Sequence, residues 1–307
     1  MPPAAVAIVF PGQGSQFVGM ADPWSTDTIG RATLDEASEV LAADVVEGSR
    51  DASLLATTEF VQPAILACDV AAFRLLRDAG VDVSGTAGHS LGEFAALAAA
   101  GVLGFGDALE LVRARGRAMQ RAGEERPGTM TALLGVGPEA AAELCEEARG
   151  DDVLLVANEN SPRQVVASGS VPAIERLEAL ATERRVRAVR LSVAGAFHSP
   201  LMEPAVEPLR AAIDVTPFRA PEIAVASNVT GAIVRDPEEL RRLLVRHVVS
   251  PVRWQSCARA LVEVGAGTIV EAGPGDVLTK LAKRATPGVR ALAIGAPEAA
   301  RSFASTL

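Results

Sequence analysis

Gly88-His89-Ser90-Leu91-Gly92 has the G-x-S-x-G spacing of a nucleophile elbow. A serine hydroxyl is a weak nucleophile unless a base takes its proton and the backbone exposes it. Small residues on both sides allow a tight strand-to-helix turn with Ser90 at its apex. The flanks fit. Val81-Asp82-Val83-Ser84-Gly85-Thr86-Ala87 is short and partly β-branched, as expected of a buried strand. Glu93-Phe94-Ala95-Ala96-Leu97-Ala98-Ala99-Ala100 is rich in helix formers and stops at Gly101. The simpler alternative is a glycine-bounded turn in which Ser90 only caps the following helix.

Three histidines, His89, His198 and His247, could supply the base. His89 adjoins Ser90 on the turn, so its side chain should point away from the hydroxyl and pack or cap. His198 lies in Ala196-Phe197-His198-Ser199-Pro200, where the chain passes between two differently patterned regions, a common location for catalytic residues. His247 lies in Val245-Arg246-His247-Val248-Val249, where a structural role at a helix end is the alternative. The hydrolase order serine, acid, histidine favours His247 with Asp214 or Asp236. Residue order leaves His198 and His247 both open.

The elements that must position these groups alternate between strand-like and helix-like segments. Val6–Phe10 reads as a first strand, followed by the loop Pro11-Gly12-Gln13-Gly14-Ser15-Gln16. Helical apolar spacing runs over Phe60–Asp78, and a further helix over Phe105–Arg121. This alternation predicts an α/β fold with a parallel sheet covered by helices. After the turn-rich Glu124-Glu125-Arg126-Pro127-Gly128 the pattern changes. Strands at Thr129–Val136, Val153–Ala157, Gln164–Ser168 and Val186–Val193, with helices at Pro138–Ala148 and Val171–Arg185, give the ferredoxin-like order β-α-β-β-α-β. We therefore expect residues 1–125 and 197–307 to form a large hydrolase-like domain, and 126–196 an inserted ferredoxin-like α+β subdomain. Further strands are expected at Ile223–Ser227 and Thr268–Glu271, and a helix over Val277–Arg284.

Composition narrows the class. With 49% hydrophobic and 22% charged residues among 307, the chain has an ordinary globular composition and length for a substantial core. A net charge of -9 argues against general nucleic-acid binding. No run approaches the ~18 apolar residues of a membrane span. The start, Met1–Phe10, lacks the basic region of a signal peptide, so a cytoplasmic location is the expectation. Cys68, Cys145 and Cys257 have no metal or redox spacing and should pack.

The chain resembles malonyl-CoA:acyl-carrier-protein transacylases and the related acyltransferase domains of polyketide synthases. The motifs are Phe10-Pro11-Gly12-Gln13-Gly14-Ser15-Gln16, Gly88-His89-Ser90-Leu91-Gly92-Glu93-Phe94, Arg115-Gly116, Ala196-Phe197-His198-Ser199, Ser250-Pro251-Val252-Arg253-Trp254 and Glu271-Ala272-Gly273-Pro274-Gly275, in order over nearly the full length. The resemblance implies that Ser90 carries the acyl group and that His198 is its base. Backbone N–H groups of Gln13 and Leu91 would hold the oxyanion, and Arg115 the carboxylate of a malonyl group. Arg113 and Arg117, on the same helix, read instead as a solvated basic face. Phe197 and His89 would border the specificity pocket, with Phe197 crowding an α-methyl branch. Gly195-Ala196-Phe197-His198 departs from the malonyl signature of polyketide acyltransferases by its first glycine. His247 stands where the fatty-acid enzymes usually carry glutamine, and its main-chain carbonyl would orient His198. The implied partners are an acyl-CoA donor and an acyl-carrier protein, in polyketide or fatty acid biosynthesis, and no metal or bound cofactor is implied. A substituted or larger acyl group, or thioester hydrolysis, is the alternative reaction.

Overall fold

The computed structural model describes residues 5–307; the Met1–Ala4 part of the leader reading lies outside the described residues. In chain order the strands are β1 (Ala5–Phe10), β2 (Val83–Gly88), β3 (Thr129–Leu134), β4 (Leu154–Ser161), β5 (Gln164–Gly169), β6 (Arg187–Arg190), β7 (Ala224–Ala226), β8 (Ile233–Val234), β9 (Ala266–Ala272) and β10 (Arg290–Ile294).

They form two sheets. The first runs β10-β9-β1-β2-β7-β8, with every pair parallel except β7 with β8. Helices cover both its faces, so β1 is an unbroken buried apolar run, Val6 to Phe10. The second sheet runs β4-β5-β3-β6 and is antiparallel throughout. That is the order a β-α-β-β-α-β chain adopts when its two helices, Pro138–Arg149 and Val171–Glu183, pack on one face.

β8 and β10 are not among the expected strands, and two further differences from the sequence expectation lie near the site. Asn158–Ser161, left between the expected strands Val153–Ala157 and Gln164–Ser168, belongs to β4, which pairs with β5 through irregular register. Its side chains are polar because they look onto the large domain instead of into a core. β6 ends at Arg190, short of Val193: Leu191 keeps one bond to β3, its N–H donating to Met130 O (2.9 Å), and Leu191-Ser192-Val193 then leave the edge to line a cavity. The two units are stitched by main chain: Glu159 N–H donates to Val252 O (2.9 Å) and Val252 N–H to Ala157 O (2.8 Å).

Candidate active site

The elbow is a steric consequence of its glycines. β2 ends at Gly88 and the helix Gly92–Ala99 begins four residues later. A Cβ on Gly88 would lie 1.8 Å from the Gly92 carbonyl carbon, and one on Gly92 2.1 Å from Phe10 O. Only glycine lets strand, turn and helix close on one another. Ser90 between them has φ +53°, a left-handed conformation that costs a non-glycine residue energy and recurs at functional sites. Its Oγ therefore projects beyond the carboxyl ends of the parallel strands, where such sheets bind ligands.

His198 meets it there. His198 Nε2 lies 2.7 Å from Ser90 Oγ, and Nδ1 lies 3.0 Å from the main-chain carbonyls of both His247 and Ser250. Two carbonyl acceptors require the proton on Nδ1, leaving the Nε2 lone pair to accept the serine hydroxyl. His198 is buried, and it too is left-handed at φ +57°. Burial, with the nearby Arg115 cation, pushes its pKa down to about 3, against the opposing pull of the two carbonyls. The imidazole is a neutral base at neutral pH.

Arg115 completes the centre. It is 1% exposed on the helix Phe105–Glu125 and donates from Nη2 to Ser90 Oγ (3.0 Å) and from Nη1 to Gln62 Oε1 (2.7 Å). Its buried Nε has no acceptor, and among the described residues no carboxylate pairs with it. Burial lowers its pKa only to about 10, so the charge remains. Gln62 in turn donates to Gln13 Oε1 (3.2 Å), tying Arg115 to the loop after β1. That loop presses on the elbow: a Cβ on Gly12 would lie 2.2 Å from His89 O and 3.7 Å from Leu91 N. Among the described residues, the Gln13 and Leu91 N–H groups donate no hydrogen bond. A cavity of about 120 Å³ opens over Ser90, its apolar lining including Met119, Met130, Leu191 and Phe197.

His89 also borders this cavity, but its Nε2 lies 2.8 Å from Asn160 Oδ1 of β4, away from the nucleophile. The His247 side chain does not reach the cavity. Its Nε2 lies 3.2 Å from Asn228 Oδ1 and 3.4 Å from Glu93 Oε2, beneath the elbow. The acids of a hydrolase order are elsewhere: Asp214 is exposed, and exposed Asp236 caps the helix Pro237–Arg246. Arg113 and Arg117 form surface ion pairs with Glu110 and Glu59. Sequence reasoning missed Gln62, Asn160 and Asn228. Each carried a signal: a glutamine inside an apolar helix, and two asparagines beside strand ends.

A serine and a histidine bonded across an elbow on a parallel sheet are the arrangement that serine-dependent acyl-transfer and hydrolytic enzymes use. The chain belongs to the acyl transferase domain family, whose model matches residues 7–296. It is 36% identical to the malonyl CoA-acyl carrier protein transacylase of Bacillus subtilis, over 98% of this chain and 97% of that protein. Against the enzyme of the same name from Escherichia coli K12 the identity is 39%, over 95% and 96%. The acyl-carrier-protein S-malonyltransferase structure from Burkholderia pseudomallei superposes with TM-score 0.94 at 38% identity, over 98% and 99%. A malonyl-transacylase solved in complex with a type II PKS acyl-carrier protein superposes with TM-score 0.95 at 36% identity, over 99% and 100%. Among the described residues no helix is long and apolar enough to cross a membrane.

Proposed function

We propose that this protein transfers a malonyl group from CoA to the phosphopantetheine thiol of an acyl-carrier protein, through an ester on Ser90. The observation that carries the reading is Arg115: a buried guanidinium without a carboxylate partner, 3.0 Å from the nucleophile. A buried unpaired cation is costly, and a substrate carboxylate relieves that cost through two parallel hydrogen bonds. An uncharged acyl group leaves it unrelieved, so the pocket selects for a dicarboxylic acyl unit. The identity to named transacylases over most of both chains supports the same donor and acceptor.

In the first half-reaction Ser90 Oγ attacks the thioester carbon as its proton passes to His198 Nε2. Gln13 and Leu91 N–H groups hold the tetrahedral oxyanion. The carbon–sulfur bond breaks, and His198 returns the proton to the departing CoA thiolate. The carrier thiol then attacks the Ser90 ester, giving its proton to His198; collapse releases Ser90, which recovers that proton. His198 works without a carboxylate orienter because two main-chain carbonyls hold its Nδ1–H. His247 contributes one of them through its backbone, so the change from glutamine leaves that contact intact. Phe197 and the two methionines of the cavity wall leave little room for an α-branch on the acyl group.

For the carrier, Lys283 and Arg284 offer a basic surface. They end the helix Val277–Ala285, whose Leu278 and Leu281 line a second cavity of about 190 Å³ beside Gln13 and His89. A second basic cluster, Arg184, Arg185, Arg187 and Arg190, is partly neutralised, since Arg184 pairs with Glu147 and Arg190 with Glu178. Intact-protein mass spectrometry tests the reading. Incubation with malonyl-CoA should add one malonyl group at Ser90, which added holo-carrier protein removes as malonyl-carrier. Release of free malonate without transfer would instead make the enzyme a thioesterase.

A further inference from the structure

Beneath the elbow lies a buried polar array that the transfer chemistry leaves unused. Asn228 follows β7 and is fully buried. Its Nδ2 donates to Gly88 O (2.7 Å), and its Oδ1 accepts the Ser90 N–H (2.8 Å). One carboxamide thus spans the elbow, gripping the last residue of the strand and the nucleophile's own backbone. These two contacts fix the orientation of the amide. Its Oδ1 therefore faces donors only, and His247 Nε2, 3.2 Å away, must carry a proton. The Asn228 backbone N–H is accepted by Glu93 Oε2 (2.9 Å), from the first turn of the helix that the elbow begins. Strand, nucleophile and the His247 support of His198 meet on its side chain, and the helix on its backbone N–H.

We propose that Asn228, held in place by Glu93 and His247, is the positioning residue of the nucleophile, fixing Ser90 in its left-handed conformation so that Oγ meets His198 Nε2. The inference rests on the transacylase reading only for its substrate. The physical reason is strain. A serine at φ +53° relaxes unless the surroundings over-determine it, and the Ser90 N–H is the backbone group whose direction reports that rotation. Releasing it swings Oγ away from the base and from Arg115 together. The array is also arranged for rigidity: the His247 imidazole has the Phe94 ring edge-on at 6.5 Å and the His198 ring edge-on at 5.3 Å, centre to centre.

Asn228→Ala and Asn228→Asp test this. Two readouts are used: malonyl-Ser90 formation from malonyl-CoA, and labelling of Ser90 by a fluorophosphonate, which needs an activated serine but no malonyl pocket. Asn228→Ala should slow both by about 10²-fold, the scale of a displacement of roughly 1 Å, with KM for malonyl-CoA changed less than about threefold. In Asn228→Asp the donor to Gly88 O survives only while the new carboxyl is protonated. Its titratable neighbours are Glu93 at the backbone N–H, His247 at the present Oδ1 and Cys257 at 3.8 Å from the present amide nitrogen, with the Arg115 charge and His198 acting on His247. Labelling of Asn228→Asp should therefore rise more steeply than that of the wild type as pH falls from about 8 to about 5.5, a window in which burial places Glu93, at about 7, in both proteins. Wild-type labelling rates in Asn228→Ala, or an Asn228→Asp profile parallel to the wild type, would overturn the proposal. If the alanine variant does not fold, the aspartate profile alone decides. Wild-type enzyme that takes up fluorophosphonate but no malonyl would sink the transacylase reading and leave this comparison intact.

Discussion

At the scale of single residues the site is a problem in buried charge. Arg115 is a buried cation whose side-chain contacts, Gln62 and the Ser90 hydroxyl, are neutral, so its charge is left for a substrate to balance. Arg115→Ala is expected to slow acylation by malonyl-CoA by roughly 10²-fold, the scale of about 3 kcal/mol for one partner of a buried ion pair. Acetyl-CoA should lose far less, so the ratio of the two acylation rates is the measurement, and an unchanged ratio would refute the carboxylate clamp. His198 makes a second statement at this scale. Its pKa of about 3 lies below ordinary histidine because burial and Arg115 disfavour the imidazolium. A base with a lowered pKa stays proton-accepting as pH falls until that pKa is reached. The rate of malonyl-Ser90 formation should thus be level from about pH 8 to about pH 5 in stopped-flow acylation. A drop centred near pH 6.5 would mean that His198 titrates as if exposed.

At the scale of elements, the glycines decide. The loop after β1 and the elbow after β2 are neighbours because β1 and β2 pair in parallel, Phe10 opposite Gly88. They touch because Gly12 has no side chain to hold them apart. Gly12→Ala should force the loop from the elbow, since its Cβ would meet His89 O at 2.2 Å. Pushing the Gln13 N–H out of reach of the oxyanion is expected to cost about 10²-fold in acylation, with thermal melting shifted modestly in comparison. Loss of melting stability with an undiminished rate per folded molecule would show that the contact serves only packing. This part of the design is readable along the chain. Gly-x-Ser-x-Gly between an apolar strand and an alanine-rich helix is a local signal, because the turn is made by its own residues. The edge strand β6 was not readable in the same way: Val186–Val193 looks continuous, yet after the Leu191 N–H bond to Met130 O the chain leaves β3, with no second neighbouring strand to hold it.

At the scale of the whole molecule, the small antiparallel sheet is a wall. Met130, Asn158 and Leu191 to Val193 close one side of the cavity, while the Ser90 and His198 side comes from the parallel-sheet domain. The net charge of -9 would repel an acidic carrier, so local charge must receive it. Exchanging both Lys283 and Arg284 for glutamate should slow transfer to the carrier by about tenfold at low salt, while acylation by malonyl-CoA falls much less. Equal losses in both half-reactions would remove that helix end from the docking surface.

The amino-acid sequence by itself determined the elbow, the alternating α/β order and the β-α-β-β-α-β insert, because these follow from local periodicity and glycine placement. It also narrowed the base to two histidines, between which chain order could not choose and family resemblance favoured His198. The tertiary structure decided what each polar side chain faces. His247 carries an imidazole that could have reached the substrate, yet it turns under the elbow to Asn228 and Glu93. Asn228, a plain asparagine after a short strand, becomes the group that spans Gly88 and Ser90. Hydrogen bonds between residues more than a hundred positions apart depend on how sheets and helices stack, and no local pattern encodes that stacking.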